Sequence, residues 1–458
     1  MGYLELLQKY MRIAANCKTF KINIIHMRIF ISAISFFLLF NTYAQDYKAV
    51  NWINENAIKI EDANPDTNLT LFNNNIPQKF TDAKVFGFGE TTHQGKEFFD
   101  IKAKFFKYLV ENQGVKVFII EDSYTSEAGI NEWISGGKGN SETIANNFTI
   151  GFWHCKEVVN LLEWMRNYNH NKTNDDQIRF YGMDIQIVQN INLEIRSLVK
   201  KYNIPVSEEL LLVTDKCAEK KVEYMKSTDW ADIQIPKLNE IESILLDFQK
   251  GIKNENNTEF NSALRALNYL SQYTYFVQNN YSQDRDLKMF ENAKWIIDNK
   301  SINGKAFIWA HNEHINNKNA GNYNTRNIYN LGRHLKEYYK NDYYSVGFDF
   351  GTGTQAGYFS NKDEKPSWKK VELNKPYSET YAETLIEANN NIYFIDMSKA
   401  LNGSSSDFFK KKTKQIVAGG GGFNPKNNYL YQKKFSEMYD GLIFVKNVTL
   451  PTNNLIAK

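Results

Sequence analysis

Glu90 and His93 stand where a short apolar run, Val85–Phe88, gives way through Gly89 to a helical pattern. His311 and His314 stand in the same relation to Lys305–Ala310. Glu121 and Asp122 follow a third such run, Val115–Ile120, and Asp184 follows a fourth, Ile178–Gly182. An imidazole titrates at roughly 6.5 when unperturbed, which suits proton transfer near neutral pH. Carboxylates beside imidazoles are what a hydrolytic site needs: one ring takes a proton from water, and a carboxylate fixes its tautomer and holds the imidazolium. A nucleophilic serine has little support, because no GxSxG elbow occurs, although Ser123 and Ser126 follow a strand. Activated water is therefore the preferred attacking group. The same side chains could instead supply three or four zinc ligands, as in a metal-dependent hydrolase. Against zinc, the HxxxH spacing that puts two imidazoles on one helical face is absent, and residues i and i+3 at a strand end need not converge. The reading taken is that no cofactor is needed.

These groups can cooperate only if the runs that carry them share a sheet. The pattern predicts alternating elements: a helix over Tyr47–Glu61, the strand at Val85, a helix over Phe98–Asn112, the strand ending at Ile120, a helix over Cys155–Tyr168 and the strand ending at Gly182. Strand and helix in alternation is the arithmetic of right-handed βαβ units and a parallel sheet buried on both faces. If the strands are parallel, the polar residues after them all fall on one edge, where open α/β sheets bind ligands. From about Val188 to Tyr281 strand signals vanish and amphipathic runs take over: Ile191–Tyr202, Glu208–Lys226, Leu238–Gly251 and Phe260–Val277. The chain returns through a helix at Arg285–Trp295, the strand before His311 and a helix near Ile328–Tyr339. Strands at Ser345–Phe350, Ile392–Asp396 and Gly441–Val445 complete it, and Asn402–Asn428 reads as a mobile loop. The expectation is a three-layer α/β core with a mainly parallel sheet flanked by helices, plus a helical insertion forming a lid. Its divisions are 1–44, 45–187 and 283–458 for the two parts of the core, and 188–282 for the insertion.

Residues 1–44 are set aside as a signal peptide, with Met27 a possible true start. The apolar run Ile29–Phe40 follows a basic start, ends before Ala44, and is short of the roughly 20 residues that a spanning helix needs. This predicts a periplasmic or secreted protein without stable membrane association after cleavage. The net charge is +3, and Lys9, Arg12, Lys18, Lys21 and Arg28 fall in that leader against Glu5, so the remainder is close to neutral. Nucleic acid, which wants a clustered basic field, is not indicated. Cys155 and Cys217 lack metal-site spacing, and a disulfide between them and two free thiols are equally compatible with the sequence. Aromatic content is 14%. Such rings ordinarily fill the core, and lining a cleft for a bulky apolar ligand is the other use open to them.

Read in order, Gly89 to His93 with Glu97 and Phe98, then Tyr181 to Asp184, then Arg285 and Asp286 with Met289 and Asn292, then Trp309 to His314, resemble the erythromycin esterase family. The ending Tyr439–Phe444 resembles that family's last strand, and the resemblance covers about Val85 to Leu450. One departure is Gln94, where members usually carry glycine directly after the histidine. The resemblance implies hydrolysis by water of the ester in a macrolide lactone ring, hence inactivation of an antibiotic. It implies His93 as general base with Glu90 and Glu121 as orienting or water-binding carboxylates. His311 and His314 would polarise the carbonyl or protonate the leaving alkoxide, Arg285 would stabilise the oxyanion, and Asp184 would contact substrate. The partner implied is a small-molecule macrolide, with the oligomeric state unspecified. The rival of another class is a non-catalytic envelope binding protein for haem or a saccharide on the same scaffold.

Overall fold

A computed structural model describes residues 46–452, apart from 125–128, 220–228, 253–257, 279–283, 319–328, 362–363, 421 and 424–429. The expected signal peptide, Ser126 and the end of the run read to Lys226 lie outside the described residues. The strands are β1 (Ile58–Lys59), β2 (Val85–Phe88), β3 (Val117–Ser123), β4 (Arg179–Asp184), β5 (Ala306–Trp309), β6 (Tyr343–Asn361), β7 (Glu364–Leu373), β8 (Ile392–Asp396), β9 (Thr413–Ile416), β10 (Leu430–Lys433) and β11 (Gly441–Val448). Nine of them form one sheet in the order β1-β8-β11-β6-β2-β5-β3-β4, with β7 attached to β6. The six from β4 to β11 in that order are mutually parallel, while β8 and the arm strand β7 run antiparallel to their partners.

The longer helices are α1 (Lys96–Gln113), α2 (Lys156–Asn169), α3 (Ile191–Tyr202), α4 (Glu208–Ala218), α5 (Trp230–Gly251), α6 (Thr258–Gln278), α7 (Arg285–Lys300) and α8 (Leu331–Tyr339). The strands are apolar on both sides, so each face must be covered. Phe86, Phe88, Phe118, Phe307 and Trp309 pack with α1 and α2 on one face, and Val85, Val117, Ile119 and Ile308 pack with α7 and α8 on the other. Helices α3 to α6 share a core of their own, joined by Tyr124 and Ile185 just beyond β3 and β4. The result is a mainly parallel sheet flanked by helices, as the alternating pattern requires. No helix among the described residues is long and apolar enough to cross a membrane.

Strand β5 lies between β2 and β3, and β6 lies on the far side of β2. The chain therefore leaves β2 toward β3 but crosses from β5 to β6 in the other direction. Such a reversal opens a crevice at the carboxyl ends of the strands, where the loops part.

Three expectations need correction. The first helix ends at residue 56, and Ile58–Lys59 pair with β8 as a sheet edge. The stretch Asn402–Asn428 is not one mobile loop among its described residues, since it holds the helix Ser406–Lys410 and strand β9, which pairs with β10. The strand begun at Ser345 does not stop at Phe350; it continues to Asn361 and pairs with β7 as an arm beyond the sheet edge. Cys155 and Cys217 are both buried free thiols.

Candidate active site

The carboxyl ends of β2 and β5 are neighbours, and backbone pairing continues past them: Ala310 N–H donates to Phe88 O, and Asn312 N–H to Glu90 O at 2.9 Å. The Asn312 side chain bonds both backbone groups of Phe348 on β6, so three strand ends are tied together. A Cβ at position 89 would overlap the Asn312 amide oxygen, which is why glycine precedes Glu90. This contact brings His93 and His311 to 5.1 Å between ring centroids.

His93 is almost buried, and its Nδ1 lies 2.6 Å from Glu90 Oε1. The carboxylate accepts the Nδ1 proton, which leaves the Nε2 lone pair as the basic position. The other Glu90 oxygen accepts from the ammonium of Lys102 on α1, a side chain with no exposure, whose Nζ sits 3.9 Å from the centre of the Trp309 ring. Burial pushes the Lys102 ammonium down to about 8 against the opposing pull of Glu90. Phe152 stacks on the His93 ring at 5.1 Å and Trp153 meets it edge-on at 5.5 Å. Both come from the turn Gly151–Trp153, and the residues before it are anchored by Asp122, which accepts the N–H groups of Thr149 and Ile150. Burial drives the Asp122 carboxyl up to about 7 despite those bonds.

His311 and His314 sit in contrasting surroundings. His311 Nδ1 accepts the Glu313 N–H at 3.2 Å, so its proton belongs on Nε2, which makes no hydrogen bond of ordinary geometry within the protein. Burial, and then the nearness of His93, hold His311 well below the ordinary imidazole value. His314 lies against Asp286 Oδ2 at 2.9 Å and Glu121 Oε1 at 3.2 Å. Although burial opposes it, these carboxylates hold His314 well above the ordinary value, as an imidazolium.

Glu121 ties the parts together. One oxygen takes the His311 backbone N–H at 2.8 Å, and the other meets Arg285 at 2.9 Å beside His314. His314 and Arg285 overcome burial and hold this carboxyl well below the usual carboxylate range. Arg285 also grips Asp184 through two nitrogens, at 2.9 and 2.7 Å, and its remaining terminal nitrogen lies 3.1 Å from His314 Nε2. Asp184 is 1% exposed and also accepts from Ile185 N–H and the Gln186 amide. Arg285 and Asp184 are therefore engaged with each other.

The seven residues given roles from the sequence, Glu90, His93, Glu121, Asp184, Arg285, His311 and His314, thus gather at one rim. Lys102 and Asp286 complete the set without having been given roles. The signal for Lys102 was its place on the stripe Phe98, Lys102, Phe105, Leu109, where a surface helix would carry an apolar residue. Among the described residues no three His, Cys, Asp or Glu side chains are grouped so as to hold a metal ion.

The chain is 24% identical over 340 residues to the type II erythromycin esterase of Escherichia coli, covering 69% of this chain and 80% of that protein. A solved protein of Bacillus cereus superposes with a TM-score of 0.76 at 22% identity, covering 90% of this chain and 99% of the other. A mutant of the erythromycin esterase EreC in its open conformation superposes with a TM-score of 0.65 at 14% identity, over 87% and 98% of the two chains. At these identities the superpositions bear on the fold alone. The family profile described as erythromycin esterase matches residues 110–448, and by that match the chain belongs to the erythromycin esterase family, whose names are those of hydrolases.

Proposed function

We propose that this protein hydrolyses the ester of a macrolide lactone ring with water activated by His93. The observation that carries the reading is the Glu90–His93 pair at 2.6 Å, which leaves Nε2 as a base beside the neutral His311, with the charged His314 on Glu121. Water gives a proton to His93 Nε2 as its oxygen bonds to the ester carbon. The carbonyl oxygen gathers charge toward the His311 Nε2–H, a buried donor that makes no hydrogen bond of ordinary geometry within the protein. When the tetrahedral species collapses, His314 supplies a proton to the departing alkoxide, and an acid and an alcohol remain on one opened ring. The site resets when His93 sheds a proton and His314 regains one. Arg285, with Asp184 and Glu121 as its partners, acts in this scheme by keeping Glu121 ionised and His314 charged. A metal-free reaction is the reading taken, because His314, held as an imidazolium between Asp286 and Glu121, has no lone pair to offer a metal.

Incubation of the purified protein with erythromycin is expected to give a ring-opened product heavier by one water, before and after chelation. Failure to form that product would end the macrolide assignment, and activity lost to a chelator and restored by zinc would overturn the metal-free scheme.

A further inference from the structure

Beyond the imidazoles, a line of aromatic rings leaves the site. Phe152 lies flat on His93, Trp368 of β7 meets Phe152 edge-on at 5.9 Å, and Tyr358 of β6 tilts against Trp368 at 5.5 Å. Burial falls along the line: Phe152 and Trp368 are half-buried, and Tyr358 is 44% exposed. The last two rings belong to the β6–β7 arm, which extends past the sheet edge. That arm is held over the rim by the glycine-rich segment after β9. Gly422 bridges Gly357, Phe423 N–H donates to Ala356 O at 2.7 Å, and Ala418 N–H donates to Thr91 O in the catalytic turn.

The same segment has two glycines that no close contact requires. Among the described residues, a Cβ at Gly419 would meet nothing within 4 Å, and one at Gly420 would only touch the Phe152 ring edge at 4.0 Å. Neither has a positive φ. Among the described residues, the backbone there forms a bare floor with nothing within 4 Å of a Cβ placed at Gly419, beside a wall of rings that begins on the catalytic imidazole. Flat aromatic faces next to a side-chain-free floor suit the CH-rich face of a large ring.

We infer that Phe152, Trp368 and Tyr358, with the floor at Gly419 and Gly420, form the binding wall for the bulky apolar portion of the ester and set its size preference. This rests on the hydrolase reading above and names the surface that selects its substrate class. It assigns that selection to the β6–β7 arm, on the strands, and not to the helical insertion.

The test uses the full chain with Trp368→Ala, which removes wall, and Gly419→Leu, which fills the space while removing nothing. Steady-state kinetics are measured with erythromycin as the bulky ester and p-nitrophenyl acetate as the small one, after subtraction of the His93→Ala rate. In both variants the ratio of kcat/KM for the bulky over the small ester is expected to fall at least tenfold, mainly through KM. An unchanged ratio, or a parallel loss on both esters, overturns the inference. Wild type that cleaves the small ester but neither cleaves nor binds erythromycin also overturns it, while leaving ester hydrolysis in place. Wild type inactive on both esters defeats the hydrolase reading, and calorimetric binding of erythromycin then decides: binding that Gly419→Leu abolishes supports the wall, and binding that is absent or unaltered refutes it.

Discussion

His311 and His314 are three residues apart on one turn, yet one is held neutral and the other charged. His311 has a backbone N–H donating to its ring, apolar surroundings and a second imidazole for a neighbour. Around His314, the carboxylates Glu121, Asp184 and Asp286 face one guanidinium, so the local balance is negative and a proton stays. Burial penalises charge at both rings, and the carboxylates paired with the His314 ring outweigh it there. The lesson is that residue type and spacing announce a site, while the partners each ring finds in space decide which is donor, acid or base.

The largest expected effect isolates that contrast from the base. His93→Ala leaves the surroundings of His314 untouched, so kcat should drop by roughly 10²- to 10⁴-fold with little change in melting temperature. Steady-state kinetics with a melting curve check this, and a large stability loss with residual turnover would assign His93 to structure. Lys102→Met comes next. It removes the ammonium that balances Glu90, so positive charge collects more readily on the imidazoles beside it. The acid limb of the kcat/KM profile should move to higher pH, with roughly a tenfold loss at pH 6 for a displacement of about one unit, and Lys102→Arg should recover part of it. A uniform loss at every pH would mean that the lysine serves packing alone.

The smallest effect makes one ring resemble the other. Asp286→Asn deletes a carboxylate beside His314, so the alkaline limb of the profile should shift to lower pH. The same change is visible in stability. In wild type the raised folded-state value means that the ion pairs of His314 stabilise the fold fully below about pH 6.5, and the contribution fades as pH rises through that raised value. Melting temperature should therefore depend less on pH in the variant over that window. Equal pH dependence in the two proteins would show that Asp286 does not hold the proton.

Much of the rim was legible because buried parallel strands are continuous apolar runs, and Gly89 and His311 stand just past the ends of β2 and β5. Lys102 was less so, since a lysine in an amphipathic helix is ordinarily on the wet side; its place on the apolar stripe of α1 was the one sequence signal, and its pairing with Glu90 gives the reason. Arg285 and Asp184 were visible as residues, but their mutual grip spans two elements that meet only in three dimensions. The arm escaped notice because Gly351, Gly353 and Gly357 dilute the strand signal in β6, and its pairing with β7 is what organises it. Likewise β9 follows the basic run Lys410–Lys412 and is organised by pairing with β10, which lies beyond a stretch with no strand pattern.

Strand β5, wedged between β2 and β3, has a consequence for how the molecule is made. Its two neighbours are synthesised early, and the residues that join them, Ala306–Trp309, leave the ribosome about 180 positions after β3. Through that interval two apolar strands present bare hydrogen-bonding edges, the condition under which chains stick to one another. A nascent chain that has reached only the helical insertion carries Glu90 and His93 but an unzipped sheet, and that is the stage at which sticking to other chains competes with folding.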